Sequence, residues 1–458
     1  MVDFWRRFSG LFLLPAVLVA ARPAAAQNLL DLFGPSPLTK ALSKWTADGG
    51  NLSDALLPLE NAPVKTAAEA EAVVAALVRL RTEPKRMAEQ RTISPLFELT
   101  ALFQQADGKQ AIDVLRKRGL PELRPWVRYA LDDKKVAAQL VDDGPFILKI
   151  LAAFGETDDM KLLAEAARNL KGVDDRWSMI FGSLDEERPD TVALIDALRE
   201  PLPEGFCRVA YLDLANIVAL AGRLERHPFN TPAGREQIAA WLADPDPNHF
   251  SYAKSGAAAL AFVDAAARTK LLPAAEAHTD GLVRLEAAWA RARGGDAAGI
   301  AKLAEMAGDP RYAFEAREYL VELKRADAVP KIVDDKNFQA LAKFSDWIAH
   351  PQEVGRVPDK LELLDTRELF WPPTGDRRRV WLVKYAFDKR PDQDAQSGVG
   401  MVGSVTFALF DANDRLSPED VYGLHCSWEL ELAGDPRAPK ERTAAAGRKL
   451  LAEKNKGF

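Results

Sequence analysis

Leu282-Val283-Arg284-Leu285-Glu286-Ala287-Ala288-Trp289-Ala290-Arg291-Ala292-Arg293, followed beyond a Gly295-Asp296 corner by Ala297 to Ala307, decides how most of this chain is read. Both segments repeat apolar residues at helical spacing, and the corner joins a helix-ending glycine to a helix-capping aspartate. They predict a pair of helices. Tyr312 to Leu323 and Ala328 to Val333 predict the next pair, while Phe250 to Ala266 reads as one long helix and Leu271 to Ala277 as a short one. Helices are expected to end at Leu242-Ala243-Asp244-Pro245 and at Ala307-Gly308-Asp309-Pro310. Their prolines stand 65 residues apart, about twice a helix-pair repeat. Gly295-Asp296 and Ala326-Asp327 mark matching corners 31 residues apart, one repeat.

The same helical character extends from Gln27 to about Val354, with no strand-like alternation. Val73, Leu77 and Leu80 fall at one-turn spacings, as do Leu162, Ala166 and Leu170, each set marking one face of an amphipathic helix. Upstream of Pro232 the spacings drift, and Pro201-Leu202-Pro203 and His227-Pro228 interrupt them. Between about 232 and 336 the chain resembles HEAT-like helical repeats of the kind found in scaffolds and in bilin-lyase relatives. Val283, Ala287 and Ala288 stand where such repeats place small packing residues, and Asp296 stands at the corner before the second helix. The resemblance implies a solenoid, in which each pair buries too little alone and stacking makes the core continuous.

Near Gly355 the pattern changes. Arg379 to Phe387 alternates, with Trp381, Val383, Tyr385 and Phe387 on one face and Leu382, Lys384 and Ala386 on the other. Val402 to Phe410 and Val421 to Leu432 are also rich in β-branched and aromatic residues, and Leu361 to Leu364 offers a possible fourth run. Polar stretches from Asp388 to Ser397 and Asp411 to Asp420 separate them. These runs predict a small antiparallel sheet, and the Ala- and Lys-rich tail from Pro439 to Lys456 predicts a helix that could cover one face. The expected fold class is therefore mostly α, a helical-hairpin solenoid over 27–354 followed by a small α+β domain over 355–458.

The first 26 residues read as a secretory signal. Arg6 and Arg7 precede an apolar stretch from Leu11 to Ala21, and Ala24-Ala25-Ala26 supplies small residues before Gln27. That stretch is too short to span a bilayer as a helix, for which roughly 20 residues are needed. No later segment is long and apolar enough to cross a membrane, so the mature chain is expected to be periplasmic or secreted. A formal net charge of −6, from 61 basic and 67 acidic side chains, gives no electrostatic footprint for nucleic acid. Cys207 and Cys426, the only cysteines, carry no framework pattern and are expected to be separate buried thiols.

Several motifs invite a chemical reading. Gly398-Val399-Gly400-Met401-Val402-Gly403 matches the glycine spacing of dinucleotide-binding turns, yet a polar loop precedes it and a strand-like run follows. A phosphate site needs a strand before and a helix after. The glycines are expected to ease the start of a twisted edge strand. Asp244, Asp246 and His249 suit a helix-capping corner, and Asp411, Asn413, Asp414 and Asp420 suit a turn better than a calcium loop. His227, His249, His278 and His350 fall in loops or at helix ends, and no pair has the one-turn spacing that shares an ion. In a strand, His425 and Cys426 would point to opposite faces and form no dyad with each other. No cofactor and no metal are expected, and no catalytic motif is found.

Phe370-Trp371-Pro372-Pro373 leads into Arg377-Arg378-Arg379 and Trp381, which reads either as a recognition surface or as a packed corner with a solvated basic turn. With Tyr385 and His425, the residues Trp371, Arg377, Arg378, Arg379 and Trp381 are the candidate binding set. The expected function is non-catalytic binding: a helical scaffold holding an envelope protein or polymer. The alternative is a small-ligand receptor or enzyme in the C-terminal domain, which would require His425, Trp381 and Tyr385 to converge in a deep cavity.

Overall fold

The computed structural model of the chain describes residues 34–59, 63–81, 87, 89–133, 145–170, 176–246, 249–350, 353–390, 394–404, 409–411, 416–431 and 439–456. The expected leader, residues 1–26, lies outside them, as do residues 412–415 of the acidic turn between Asp411 and Asp420, Asn413 and Asp414 among them. Two compact units make up the chain, one ending at Gly234 and one running from Arg235 to Phe458. Among the described residues no helix is long and apolar enough to cross a membrane.

The first unit is helical: α1 Pro37–Asp48, α2 Leu52–Leu56, α3 Ala67–Leu80, α4 Gln90–Gln104, α5 Lys109–Val114, α6 Leu120–Asp132, α7 Pro145–Phe154, α8 Thr157–Asn169, α9 Trp177–Phe181, α10 Pro189–Ala197 and α11 Gly205–Leu220. Helices pack on neighbours close in sequence, α3 against α1, α4 and α6, α8 against α10, and α9 against α11. The periodic residues Val73, Leu77 and Leu80 of α3 are buried, as are Leu162, Ala166 and Leu170. Thr66 and Glu69 close a reciprocal cap on α3. A half-buried ion pair ties α6 to α8, where Arg124 donates through Nε and Nη2 to the two oxygens of the buried Asp159 at 2.6 and 2.9 Å.

Helix α12 Pro232–Leu242 runs across that boundary, and the second unit continues with α13 Phe250–Ala259, α14 Ala265–Glu276, α15 Gly281–Arg293, α16 Ala297–Ala307, α17 Ala313–Glu322 and α18 Lys336–Ile348. The pair expected around Gly295-Asp296 is present, and both Asp-Pro turns end helices as read. Two expectations are corrected. The long helix over Phe250 to Ala266 breaks after Ala259, because Asp264 caps a new helix by accepting from the Ala267 N–H at 2.8 Å. Arg268 then reaches back to the Leu260 and Val263 carbonyls at 2.9 and 3.2 Å and closes the end of α13. The helix expected over Ala328 to Val333 is replaced by 3₁₀ turns at Ala326–Ala328 and Lys331–Asp334. Pro330 holds Val329 extended, so no α-helix passes through.

After α18 come β1 Lys360–Trp371, β2 Asp376–Phe387, β3 Gln396–Val402 and β4 Leu409–Asp411, in the order β1-β2-β3-β4 with every pair antiparallel. Then α19 Pro418–Glu429 and α20 Pro439–Lys454 complete the described chain. The alternation of β2 sorts its side chains to two cores. Val383, Tyr385 and Phe387 pack with Ala340, Phe344 and Ile348 of α18. Val380 and Leu382 pack with Val421, Tyr422 and Leu424 of α19 and Ala444 of α20. The sheet is thus covered on both faces, and α18 shares its core although it precedes the expected boundary at 354. In β1 the register skips Leu364 between Leu363 and Asp365, a bulge that flips the alternation. Leu361 therefore joins the α18 side, whereas Leu369 and Trp371 join the α19 side.

The strand expected over Val421 to Leu432 is corrected: Val421 to Glu429 are helical, and Leu432 lies outside the described residues. Ser417-Pro418-Glu419-Asp420 is a helix start: Ser417 Oγ accepts from the Asp420 N–H, the Asp420 carboxylate answers the Ser417 N–H, and proline occupies the first turn. That capping box outweighs a run whose sole β-branched residue inside the helix is Val421. The tail helix covers the sheet as expected, and α19 meets α20 at a close crossing where a Cβ on Gly447 would stand 1.8 Å from the Gly423 carbonyl oxygen. The glycine run is also corrected. It lies within β3, an inner strand between β2 and β4, and a Cβ on Gly400 would sit 2.0 Å from the Phe344 ring. The glycine makes room for α18. Accordingly, Gly400→Val is expected to destabilise the protein by about 1–3 kcal/mol through overpacking. Adding Phe344→Ala should recover part of that loss in chemical denaturation. Additive losses would place Phe344 elsewhere.

Candidate binding cleft at the edge of the sheet

The structure distributes the candidate residues instead of gathering them. Trp371 is fully buried at the end of β1, its Nε1 donating to Glu429 at 3.2 Å. Trp381 donates from Nε1 to Asn337 Oδ1 of α18 at 2.9 Å, and Tyr385 lies between Phe344 and Phe387 with ring centroids 5.5 and 5.7 Å away. His425 is on α19, so the sheet separates it from Trp381 and Tyr385. The convergence that an enzyme at these three residues requires is absent. Arg378 holds Asp376 and the Gly403 carbonyl, and Arg379 pairs across the strands with Glu368 at 3.7 Å. Within the corner from Phe370 to Trp381, these bonds hold Trp371, Arg378, Arg379 and Trp381 against other residues of the chain.

His425 and Cys426 are both buried, and a helix, not a strand, carries them. Burial drives the imidazole down to about 3 and the thiol up to about 12, the latter helped by the nearby Glu429 charge. Neither group is armed for catalysis at neutral pH. Both cysteines are free thiols. Asp244 and His249 meet at 2.9 Å in the corner before α13, where Asp244 also accepts from the Asp246 N–H. Among the described residues no group of three or more His, Cys, Asp or Glu side chains is placed to hold a metal ion.

Arg377 lines a cleft. It is a hollow of about 630 Å³ at the outer edge of β1, roofed by α19 and α20. Arg367 and Leu369 of β1 enter it from one face of the sheet, while Glu368 of β1 and Arg377 of β2 belong to the other, so the cleft straddles the sheet edge. Tyr422 of α19 and Leu451 and Ala452 of α20 give it an apolar wall. Arg367 lies over the Tyr422 ring at 5.2 Å and donates to Asp365 at 2.7 Å and to Glu419. That bond holds the Glu419 carboxyl below its ordinary range, while burial pushes the Tyr422 hydroxyl up. Arg448 pairs with Asp420 at 2.6 Å. At the end of the cleft Asn455 accepts from the Phe370 N–H at 2.8 Å and donates to its carbonyl at 3.1 Å. One side-chain amide thereby occupies the place of a neighbouring strand. Arg367, Tyr422, Arg448 and Asn455 carry no local signal in the sequence, since 85 residues separate Asn455 from Phe370.

A second polar cluster lies inside the helical layers. The Tyr319 hydroxyl of α17 donates to both carboxylate oxygens of Glu286 of α15 at 2.8 Å, and Trp289 stacks on Tyr319 at 5.2 Å. Trp289 Nε1 and Arg293 both reach Glu322. These bonds tie α15 to α17.

No protein-family model matches the chain, and no curated protein or solved structure matches it either.

Two outcomes follow from the buried groups. Tyr319→Phe should cost about 1.5–3 kcal/mol in denaturant unfolding, the worth of a hydrogen bond to a charged group. A loss within about 0.5 kcal/mol, the scale of surface substitutions, would mean that water reaches Glu286. Because the folded His425 sits well below the ordinary histidine value, the unfolded chain binds the extra proton between pH 6.5 and about 3. Its contribution to stability is complete above 6.5 and is lost as pH falls, at up to about 1.4 kcal/mol per pH unit. Denaturation of His425→Leu between pH 7 and 4 should show a shallower fall than the unsubstituted protein; parallel curves would contradict the burial.

Proposed function

We propose that the chain is a non-catalytic binding protein of the cell envelope or extracellular space, holding a protein or polymer partner on a surface of its helical array. One observation carries this reading. Phe314 and Val321 of α17, seven residues apart and so on one helix face, are 41% and 54% exposed, while Ala313, Ala316 and Leu320 face the core. Ile332, in the 3₁₀ turn that follows, is 48% exposed. Large apolar side chains sharing one exposed helix face, as Phe314 and Val321 do, mark interaction surfaces. The successive packing of α15 on α16 and α16 on α17 supports the likeness to HEAT-like arrays, whose stacked pairs present continuous faces. The leader pattern in residues 1–26 supports export.

The test is capture from envelope extract by the immobilised protein beside a Phe314→Glu/Val321→Glu variant of equal unfolding midpoint. A partner held by the first and lost by the second is the expected result. Equal capture by both, or capture by neither, contradicts the proposal.

A further inference from the structure

We infer that the exposed face of α17 is where two copies of this chain meet, α17 packing on α17 in parallel about a two-fold axis. The inference rests on the reading of that face as an interaction surface, given above, and names its occupant. Helix geometry sets out the face. At about 3.6 residues per turn, Phe314 and Val321 lie two turns apart and within about 20° of one another. Arg317 and Glu318 then fall about 50° to either side of the line between them. All four are exposed, while Ala313, Ala316, Tyr319 and Leu320 of the same helix are buried. The outer surface of α17 is an apolar stripe with a cation on one flank and an anion on the other, at nearly the same height.

The remaining charges from Asp309 to Asp327 are engaged elsewhere. Glu315 pairs with Lys254 of α13, and Glu322 is held by Arg293 and Trp289 of α15. Before the helix Arg311 holds Asp309, and after it Arg325 holds Asp327. Lys324 lies past the last helical turn, where the backbone becomes left-handed at φ 59°. Within the helix, the outward charges are Arg317 and Glu318.

A two-fold contact needs a surface that is its own complement. When two such helices run parallel, each flank faces the opposite flank of the other helix. Arg317 of each copy then meets Glu318 of the other, so the ion pair forms twice. Phe314 meets Phe314 and Val321 meets Val321 across the axis. When the helices run antiparallel, each flank faces its own kind. Arg317 would stand against Arg317 and Glu318 against Glu318, which is repulsive. Charge therefore selects the parallel pairing. A different partner would have to supply this pattern, whereas a second copy already carries it. Two apolar layers and two exposed ion pairs make a small contact, so the dimer is weak and depends on concentration.

Sedimentation equilibrium of the full chain from ~10 to ~300 μM should show the mass rising from one chain toward two. Arg317→Glu or Glu318→Arg alone, each at an exposed position, should weaken self-association at least ~10-fold by setting like charges across the axis. Mixed in equal amounts, the two variants should recover it, since one copy then carries acids at both positions and the other carries bases. A chain that stays monomeric at ~300 μM overturns the inference. So does self-association that both single variants leave unchanged, or a mixture no tighter than its components. A monomeric chain that still captures another protein through Phe314 and Val321 would keep the α17 surface and refute only the second copy as its occupant. Failure of capture and self-association together would remove the surface itself.

Discussion

The constraint on which the C-terminal half depends is the two-sided burial of β2. Val380 and Leu382 need one apolar layer, and Val383, Tyr385 and Phe387 need another. A lone four-stranded sheet would leave both of these faces in water, and each fully buried large apolar side chain gives up about 1.5–3 kcal/mol if exposed. The chain meets this by laying α18 on one face and α19 with α20 on the other. Other features follow from that arrangement. Gly400 is needed because Phe344 presses against β3, the β1 bulge is needed to send Leu361 and Leu369 to different layers, and the Gly423–Gly447 crossing lets α19 and α20 share one face. With both faces occupied, the aromatic residues of the sheet are structural.

The helical layers solve a different problem, the unpaired groups at helix ends. Asp264, Asp280, Asp296 and Asp335 each cap the helix that follows by accepting from backbone N–H groups at 2.8 to 2.9 Å. Arginines serve the opposite ends, Arg268 on α13, Arg188 on the Ala153 carbonyl of α7 and Arg168 on the Ala197 carbonyl of α10. A chain with 28% charged residues and a net charge of only −6 is consistent with charges used in pairs and caps.

Much of this architecture was legible in the sequence, because helix corners are local. Gly295-Asp296 and the two Asp-Pro turns are each settled by a few adjacent residues, as is the alternation from Trp381 to Phe387. What failed was decided by competing local signals or by distant ones. The Ser417 capping box turned Val421 to Glu429 into a helix against its apolar look, and Asp264 and Arg268 broke a run that periodicity alone kept whole. Leu361 to Leu364 read as a fragment because the bulge interrupts its alternation within β1. Of the candidate site Arg377 reached the cleft. Its partners come from β1, α19 and α20, and no spacing in one dimension announces that Asn455 completes an edge at Phe370.

Residue-resolved amide hydrogen exchange tests the central claim most directly, since it reads each backbone donor of the sheet separately. The arrangement described predicts strong protection for the Val380, Trp381 and Leu382 amides, protection at Phe370 supplied by Asn455, and fast exchange at Thr366 and Glu368. Slow exchange at Thr366 and Glu368, matching that of β2, would contradict it, for the edge would then already be paired.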